Sequence, residues 1–180
     1  MTFDRRARFQ SIADEVFEPL QRFLRRRAIE ADADEAFSET LLVLWRRLDD
    51  VPDGAALPWA YGVARRVLAN QQRGSRRRQA LQDRLTVYAT PQPTGDPTDG
   101  FEHPEVADAL DRLPKADREV LVLWAWEDLE PRDIAVVLGT TVNAATLRLS
   151  RARKKIARLL RQDQTSPGHL PVDRHIEEQS

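Results

Sequence analysis

The sequence predicts an all-α protein with two small helical domains joined by a flexible linker. Apolar residues recur at three- and four-residue steps through most of the 180 residues, which is the period of an amphipathic helix. Residues 90–104 interrupt that period with four prolines and two glycines among acidic side chains, a composition typical of a tether. No stretch alternates apolar and polar residues as a strand would. We therefore expect domains at residues 1–84 and 105–162, a linker at 85–104 and a polar tail at 163–180.

Two helices are predicted at the start of the N-terminal domain. The first keeps one apolar stripe from Phe9 as far as Leu24. Pro19 lies inside that stripe, and because proline has no backbone N–H to donate, we expect a kink or a helix restart there. The second helix begins at about Asp34, where the helix dipole favours an acidic side chain, and continues to Leu48.

A third helix is predicted after the loop at residues 51–56. Pro58 suits its first turn, where the missing backbone donor is not needed, and the apolar period continues to roughly Arg73. A run of three arginines, residues 76–78, follows directly.

Four helices are predicted in the C-terminal domain, at residues 106–113, 115–126, 131–138 and 142–160. Proline, glycine or a short polar turn separates each from the next. Trp124 lies among apolar neighbours on the second of these helices, and we expect its side chain in the hydrophobic core.

The last two predicted helices have the pattern of a helix-turn-helix. The small side chain of Ala135 permits a close helix crossing, Gly139 suits a turn with positive φ, and Thr140 or Thr141 can cap the next helix. That helix is expected to have an apolar inward face opposite a polar, basic outward face, the geometry that enters a major groove. An ordinary helical hairpin with a basic surface is the alternative. The inward face comprises Ala145, Leu149, Ile156 and Leu160, and the outward face comprises Asn143, Leu147, Ser150, Arg151, Lys154 and Arg158.

Charge is unevenly distributed along the chain. The net charge is only −1, but residues 1–84 carry +3 and residues 120–162 carry +4, whereas residues 85–119 carry −5 and residues 163–180 carry −3. Residues 134–162 contain no acid, so the basic cluster there is not neutralised locally. A single basic run is more often a solvated face than a binding site. Two such runs, each at the end of a helical pattern, favour contact with phosphates.

Composition excludes several classes of protein and site. Cysteine is absent and the three histidines are scattered, so we expect no disulfide, metal or cofactor. No nucleophile elbow, phosphate loop or carboxylate dyad appears, and we therefore do not expect an enzyme. No apolar run approaches the roughly 20 residues of a membrane span, and we expect a cytoplasmic protein.

Four motifs, at residues 32–45, 57–70, 109–121 and 148–153, stand in an order and at separations that together resemble one family. That family is the extracytoplasmic-function (ECF) group of bacterial RNA polymerase sigma factors, within the sigma-70 family. The resemblance implies that the N-terminal domain is like sigma region 2 and the C-terminal domain like sigma region 4. It also implies a promoter-specificity factor, which binds core RNA polymerase, recognises −35 and −10 promoter elements and helps melt the −10 region.

The resemblance implies roles for individual residues. In the ECF group the second helix docks on the clamp helices of the largest polymerase subunit, and the C-terminal domain also contacts the flap. The third helix, with the loop before it, captures a base of the melted −10 strand. Carried to this chain, core-polymerase binding falls to Asp34, Glu35, Glu39, Leu42 and Trp45. Binding of the −10 element falls to Trp59, Arg65, Arg66, Asn70, Arg73, Arg76 and Arg77. Binding of the −35 element falls to Asn143, Thr146, Leu147, Arg148, Ser150, Arg151, Arg153 and Lys154.

Three of these residues depart from the family pattern. Arg66 stands where many members have asparagine, Thr146 where a basic residue is usual, and Leu147 where serine is common. We therefore expect specificity at the −35 element to depend more on Arg151, Asn143 and groove shape than it does in other members. Leu147 could contact a thymine methyl group, or it could indicate that the predicted outward face is one residue off.

Alternatives remain at this point. A helix-turn-helix regulator that binds an operator without polymerase would need a dimer interface or an effector domain, and the N-terminal motifs fit neither as well. Trp45 and Trp59 could be ordinary core residues instead of contacts for polymerase or DNA. The sequence also leaves open whether an anti-sigma factor is a partner.

Overall fold

Helices account for nearly all of the chain that the computed structural model describes, residues 2–83 and 104–164. These residues form seven α-helices and a short 3₁₀ turn, and contain no strand. The predicted linker and tail lie almost wholly outside the described residues. The helices are α1 Thr2–Arg25, α2 Glu30–Arg46, α3 Ala56–Asp83, α4 Pro104–Asp111, α5 Lys115–Trp126, α6 Pro131–Leu138 and α7 Val142–Gln164.

The N-terminal helices are longer than predicted. α1 continues through Pro19, so the helix does not restart there. α2 begins four residues before the predicted Asp34, with Glu30 and Asp32 in its first turn, where the helix dipole favours acids. α3 continues ten residues beyond Arg73, because the arginine- and glutamine-rich sequence that follows consists mainly of good helix formers.

A shared apolar core holds α1, α2 and α3 together. Phe23 of α1 stacks on Tyr61 of α3, with ring centroids 4.4 Å apart. Thr40 is a buried polar residue of this core, and its hydroxyl donates to the carbonyl of Ala36 at 2.7 Å, which satisfies the group within its own helix. The largest fully buried aliphatic side chains of this part are Val16, Leu20, Leu24, Leu44 and Leu48.

The C-terminal helices pack around α7, which contacts α4, α5 and α6. The bounds of α5 and α6 match the sequence prediction, whereas α4 lies two residues earlier than expected. The prediction for Trp124 is wrong, because this side chain is 38% exposed. Val120, Leu121, Val122 and Leu123 are all buried, and burial on α5 ends just before Trp124, which lies in the last turn of the helix.

The two groups of helices pack against each other through α3 and α6. At their crossing, a Cβ added to Gly62 would lie 3.1 Å from the carbonyl oxygen of Val137, so the two backbones approach too closely for most side chains. The buried residues on both sides form one continuous core cluster.

Gln71 of α3 is an unsatisfied polar group in this packing. Its side-chain nitrogen and oxygen are both buried and find no hydrogen-bond partner among the described residues. Burying an unpaired polar group costs about 1–3 kcal/mol.

We therefore expect Gln71→Leu to raise the free energy of unfolding by about 1 kcal/mol, measured by thermal and urea denaturation. Gln10→Leu is the control, since the Gln10 amide is exposed and donates to Asp14. Equal effects of the two changes would contradict the prediction.

Candidate nucleic-acid interface

The turn between α6 and α7 has the backbone geometry of a helix-turn-helix. Gly139 adopts the left-handed conformation with φ of 63°, and the next amide, of Thr140, donates to the carbonyl of Ala135 at 2.9 Å. This pattern closes the end of α6. The amide of Ala144 donates to Thr141 Oγ1 at 3.2 Å, so Thr141 is the N-cap of α7. The sequence predicted the positive φ of Gly139, and it predicted that either Thr140 or Thr141 would be the N-cap.

The inward face of α7 lies where the sequence predicts it. Ala145, Leu149 and Ala152 are buried and Ile156 packs against the core. The last core contact is Leu159, one residue before the predicted Leu160, because an apolar stripe on a 3.6-residue helix advances by alternating steps of three and four.

All eight residues predicted for the −35 element are exposed on α7. Leu147 is 48% exposed, so the predicted outward face is correct in register. With about 100° between successive residues, Asn143, Leu147 and Lys154 lie near the centre of this face, whereas Arg148 and Arg153 flank it. The exposed residues are Asn143, Thr146, Leu147, Arg148, Ser150, Arg151, Arg153 and Lys154.

Two of these eight side chains make intramolecular contacts. The Arg153 guanidinium lies 4.6 Å from the ring centroid of Trp124, a cation–π contact on the protein surface. The hydroxyl of Thr146 donates to the carbonyl of Val142 at 2.8 Å, so its donor is used within the helix. Sequence periodicity did not find the Trp124–Arg153 pair, because the two residues lie on different helices.

The basic residues predicted for the −10 element fall into two groups along α3. Arg65 makes a bidentate ion pair with Glu119 of α5, and this hydrogen bonding raises the pKa of Arg65. Arg66, Asn70 and Arg73 are exposed, and Arg73 donates to the side-chain oxygen of Asn70. Farther along α3, the side chains of Arg76, Arg77 and Arg78 are exposed.

A cleft of about 600 Å³ separates the basic face of α3 from α5. Its lining combines apolar side chains, including Phe23 and Leu123, with several cations and one acid, Glu119. The arginines that line it include Arg27, Arg65, Arg66, Arg73 and Arg76. The cleft is therefore lined mainly by cationic and apolar side chains.

The aromatic residues at the start of α3 belong mainly to the core. Trp59 is half-buried and packs against the core, with the Arg47 guanidinium 5.9 Å from the centroid of its ring. Tyr61 is buried, and burial together with the nearby Glu127 carboxylate raises the pKa of its hydroxyl to about 12. Trp59 remains partly accessible, and Tyr61 does not.

The five residues predicted for polymerase binding are all exposed on α2. At about 100° per residue they occupy an arc of about 140°, so they form one face. Trp45 is 38% exposed and meets Phe9 edge to face at 5.1 Å, with the Arg5 guanidinium 5.5 Å from its ring centroid. Sequence reasoning missed Arg5 and Phe9, because these α1 residues reach Trp45 only through tertiary packing. The members of this face are Asp34, Glu35, Glu39, Leu42 and Trp45.

The described residues contain no group of three or more His, Asp or Glu side chains that could hold a metal ion. Within the same ranges, no helix has both the length and the apolar character needed to cross a membrane.

Comparison with known proteins gives consistent results. Residues 103–156 match the family model described as sigma-70, region 4. EcfG of Rhodopseudomonas palustris, an ECF RNA polymerase sigma factor, is 32% identical over 130 residues, which span 71% of each chain. The RNA polymerase sigma factor CnrH of Cupriavidus metallidurans is 30% identical over 145 residues, which span 74% of this chain and 76% of CnrH.

Solved structures show the same fold. RpoE of Bartonella quintana, in complex with the anti-sigma factor NepR, superposes with a TM-score of 0.59 at 21% identity, covering 86% of this chain and 98% of RpoE. CnrH, in complex with the cytosolic domain of CnrY, gives a TM-score of 0.55 at 25% identity, covering 86% of this chain and 88% of CnrH.

The cap of α7 provides a test of the turn geometry. Thr141→Ala removes the oxygen that accepts from Ala144 and should lower the free energy of unfolding by about 1 kcal/mol, measured by urea denaturation. Thr140→Ala is the matched control, because the neighbouring threonine makes no such bond in α7, and it should change stability by only a few tenths of a kcal/mol. A larger destabilisation by Thr140→Ala would place the cap on the other threonine.

Proposed function

The chain belongs to the ECF group of RNA polymerase sigma factors, and from that premise we propose which of its surfaces carries each step of promoter recognition. As a sigma factor it binds core RNA polymerase and directs transcription initiation at promoters. We assign the −35 element to α7, the −10 element to α3 with the loop before it, and core polymerase to α2. The main observation that supports this assignment is that α7 follows a helix-turn-helix turn and has an exposed outward face.

α7 combines groups suited to bases with groups suited to phosphates. On the outward face, Arg151 can form a bidentate contact with guanine, and Leu147, near its centre, can pack against a thymine methyl group. Arg148 and Arg153 lie at the flanks, where the phosphate backbones border a major groove. The cation–π contact with Trp124 supports this role for Arg153, because it reduces the freedom that a flexible side chain would lose on binding.

α3 offers a positively charged surface for a melted strand. Arg66, Asn70 and Arg73 are exposed beside the cleft, and Arg76 and Arg77 continue the basic surface along the helix. The partial exposure of Trp59 supports stacking on a base near the start of α3. These features favour binding of a single strand by stacking and phosphate contact.

α2 offers a mixed acidic and aromatic surface. Trp45 and Leu42 are large exposed apolar side chains beside three exposed acids, Asp34, Glu35 and Glu39. Tryptophan is enriched at the hot spots of protein interfaces. A basic surface on core polymerase would complement this face.

The division into a region 2-like domain at residues 1–84 and a region 4-like domain at 105–162 is part of the proposal. We assign the chain no catalysis of its own and place it in the cytoplasm, where polymerase works.

We also propose an anti-sigma factor as a partner. The relative CnrH was solved with the cytosolic domain of CnrY, and RpoE with the anti-sigma factor NepR, which supports a protein partner of this kind.

Run-off transcription tests the proposal directly. Core polymerase with this chain should select fragments from a random promoter library and produce transcripts that neither component yields alone. Footprinting of duplex DNA by the chain without polymerase, together with no transcript, would instead favour an operator-binding regulator.

Arg151 provides a test of base recognition in α7. Arg151→Ala should weaken use of a selected promoter by about 1–3 kcal/mol and relax the preference at one −35 position, because alanine cannot form the bidentate hydrogen bonds to guanine. Arg148→Ala is the comparison, since removing a phosphate-binding side chain at the flank should weaken all −35 sequences about equally. A uniform effect of Arg151→Ala on all sequences would show that Arg151 binds phosphate and not a base.

The arginines at the end of α3 can be tested through the salt dependence of promoter binding. Replacing Arg76, Arg77 and Arg78 with alanine should lower the slope of log K against log salt by about 2–3, since each phosphate contact contributes about 0.7–0.9 to that slope. The control replaces Arg6, Arg22 and Arg25, exposed residues of α1, with the same reduction of charge. Equal slopes in the two triple variants would show that residues 76–78 do not contact DNA.

A further inference from the structure

We propose that the C-terminal domain competes with promoter DNA for the basic face of α3, and that Glu127 is the latch that holds the free chain in the closed arrangement. The latch is defined here as Glu127 with its two partners, Arg26 and Arg27. The inference rests on the assignment of α3 to the −10 element.

The closed arrangement depends on a close crossing of two backbones. Gly62 of α3 faces the carbonyl oxygen of Val137 in α6, where an added Cβ would lie 3.1 Å from the oxygen. α6 is the first helix of the helix-turn-helix, and α3 carries the basic face assigned to the −10 element. The helix-turn-helix therefore covers part of α3 through α6, while the outward face of α7 stays exposed.

Side chains assigned to DNA contribute to this intramolecular interface. Arg65 is engaged by both carboxylate oxygens of Glu119. The Arg66 guanidinium reaches the turn at Gly139, where an added Cβ would lie 3.9 Å from its Nη2. In the closed chain, a DNA phosphate would compete with Glu119 for the Nε and Nη2 donors of Arg65.

Glu127 is the most deeply buried charge of the interface. Its side chain is 2% exposed and accepts from Arg26 Nη2 at 2.6 Å and from Arg27 Nη1 at 2.9 Å. Arg27 is also mostly buried, with its guanidinium 3.7 Å from the ring centroid of Phe23. Burial lowers the pKa of Arg27 and the charge of Glu127 partly offsets that effect.

The distance between promoter elements requires the chain to open. The −35 and −10 elements lie about 25 base pairs apart, which is about 85 Å of duplex at ~3.4 Å per base pair. A compact chain of 180 residues has a radius of gyration of about 16 Å, and so a diameter of about 40 Å. The closed chain therefore cannot place α3 and α7 on both elements at once.

The ion pairs of Glu127 with Arg26 and Arg27 stabilise the closed arrangement and not the open one. When the domains separate, Glu127, Arg26 and Arg27 become hydrated, and no charge is left buried without a partner. Without Glu127, closure would bury the Arg27 charge with no counterion, and this penalty does not arise in the open chain. Glu127→Gln should therefore shift the population toward the open chain.

The interdomain distance tests the latch in the full-length chain. The chain has no cysteine, so spin labels can be placed at Ser38→Cys and Gln162→Cys, both exposed positions on different domains. We expect one short distance in the wild type and a longer, broader distribution in Glu127→Gln. Glu130→Gln is the matched control, since Glu130 follows α5 in the same segment, undergoes the same change of charge and pairs only at the surface with Arg132. It should keep the short distance.

Gly62→Leu tests the same closure without changing any charge. Leucine is compatible with a helix but cannot fit between α3 and α6, so this variant should also open while keeping its helical circular dichroism. Both opened variants should bind a random single-stranded oligonucleotide about fivefold more tightly or better, because the α3 face is freed. Glu130→Gln should bind it like the wild type.

Three outcomes would overturn the inference. They are a long distance already present in the wild type, a short distance kept by both Glu127→Gln and Gly62→Leu, and opening without any gain in single-strand affinity. The failure of wild-type chain to support run-off transcription would instead overturn the proposed promoter role, and the distance measurement would be unaffected by it.

Discussion

The close approach of α3 and α6 is the constraint on which the rest of the structure depends. With no side chain at Gly62, the α3 backbone lies against the carbonyl of Val137, and the apolar faces of the two helical groups merge into one core. The same approach brings Glu119 within reach of Arg65 and buries Glu127 between Arg26 and Arg27. One glycine therefore positions both the hydrophobic and the ionic parts of the interface.

Arginines in this protein serve two purposes, and their partners distinguish them. Those at the interface, including Arg27 and Arg65, are neutralised by buried or half-buried carboxylates and contribute to the closed arrangement. Along the outward face of α7 no acid is close in sequence, so a positive surface faces solvent. A protein of nearly neutral net charge can therefore offer a strongly basic face to DNA, because its acids are used elsewhere.

Two large aromatic side chains of this protein lie at the surface. Trp45 and Trp124 both lie at the surface, each beside an arginine from another helix. Periodicity alone placed Trp124 in the core because its neighbours in sequence are apolar. The structure corrects this, since burial on α5 ends at Leu123 and Trp124 lies at the surface in the last turn of the helix.

Local patterns in the sequence were sufficient to predict the helices, the helix-turn-helix and the outward face of α7. Helical periodicity, the glycine turn and the threonine cap act over a few residues, so they can be recognised without knowing the fold. The ends of α1 and α3, and the roles of Gly62, Arg65 and Glu127, were decided by tertiary structure. A close backbone crossing or a buried ion pair joins residues that are 54 to 101 positions apart in sequence. A local sequence pattern does not indicate which distant helix will pack against it. The exposed basic face of α7 was thus predictable from the sequence, whereas the packing of α6 against α3 was not.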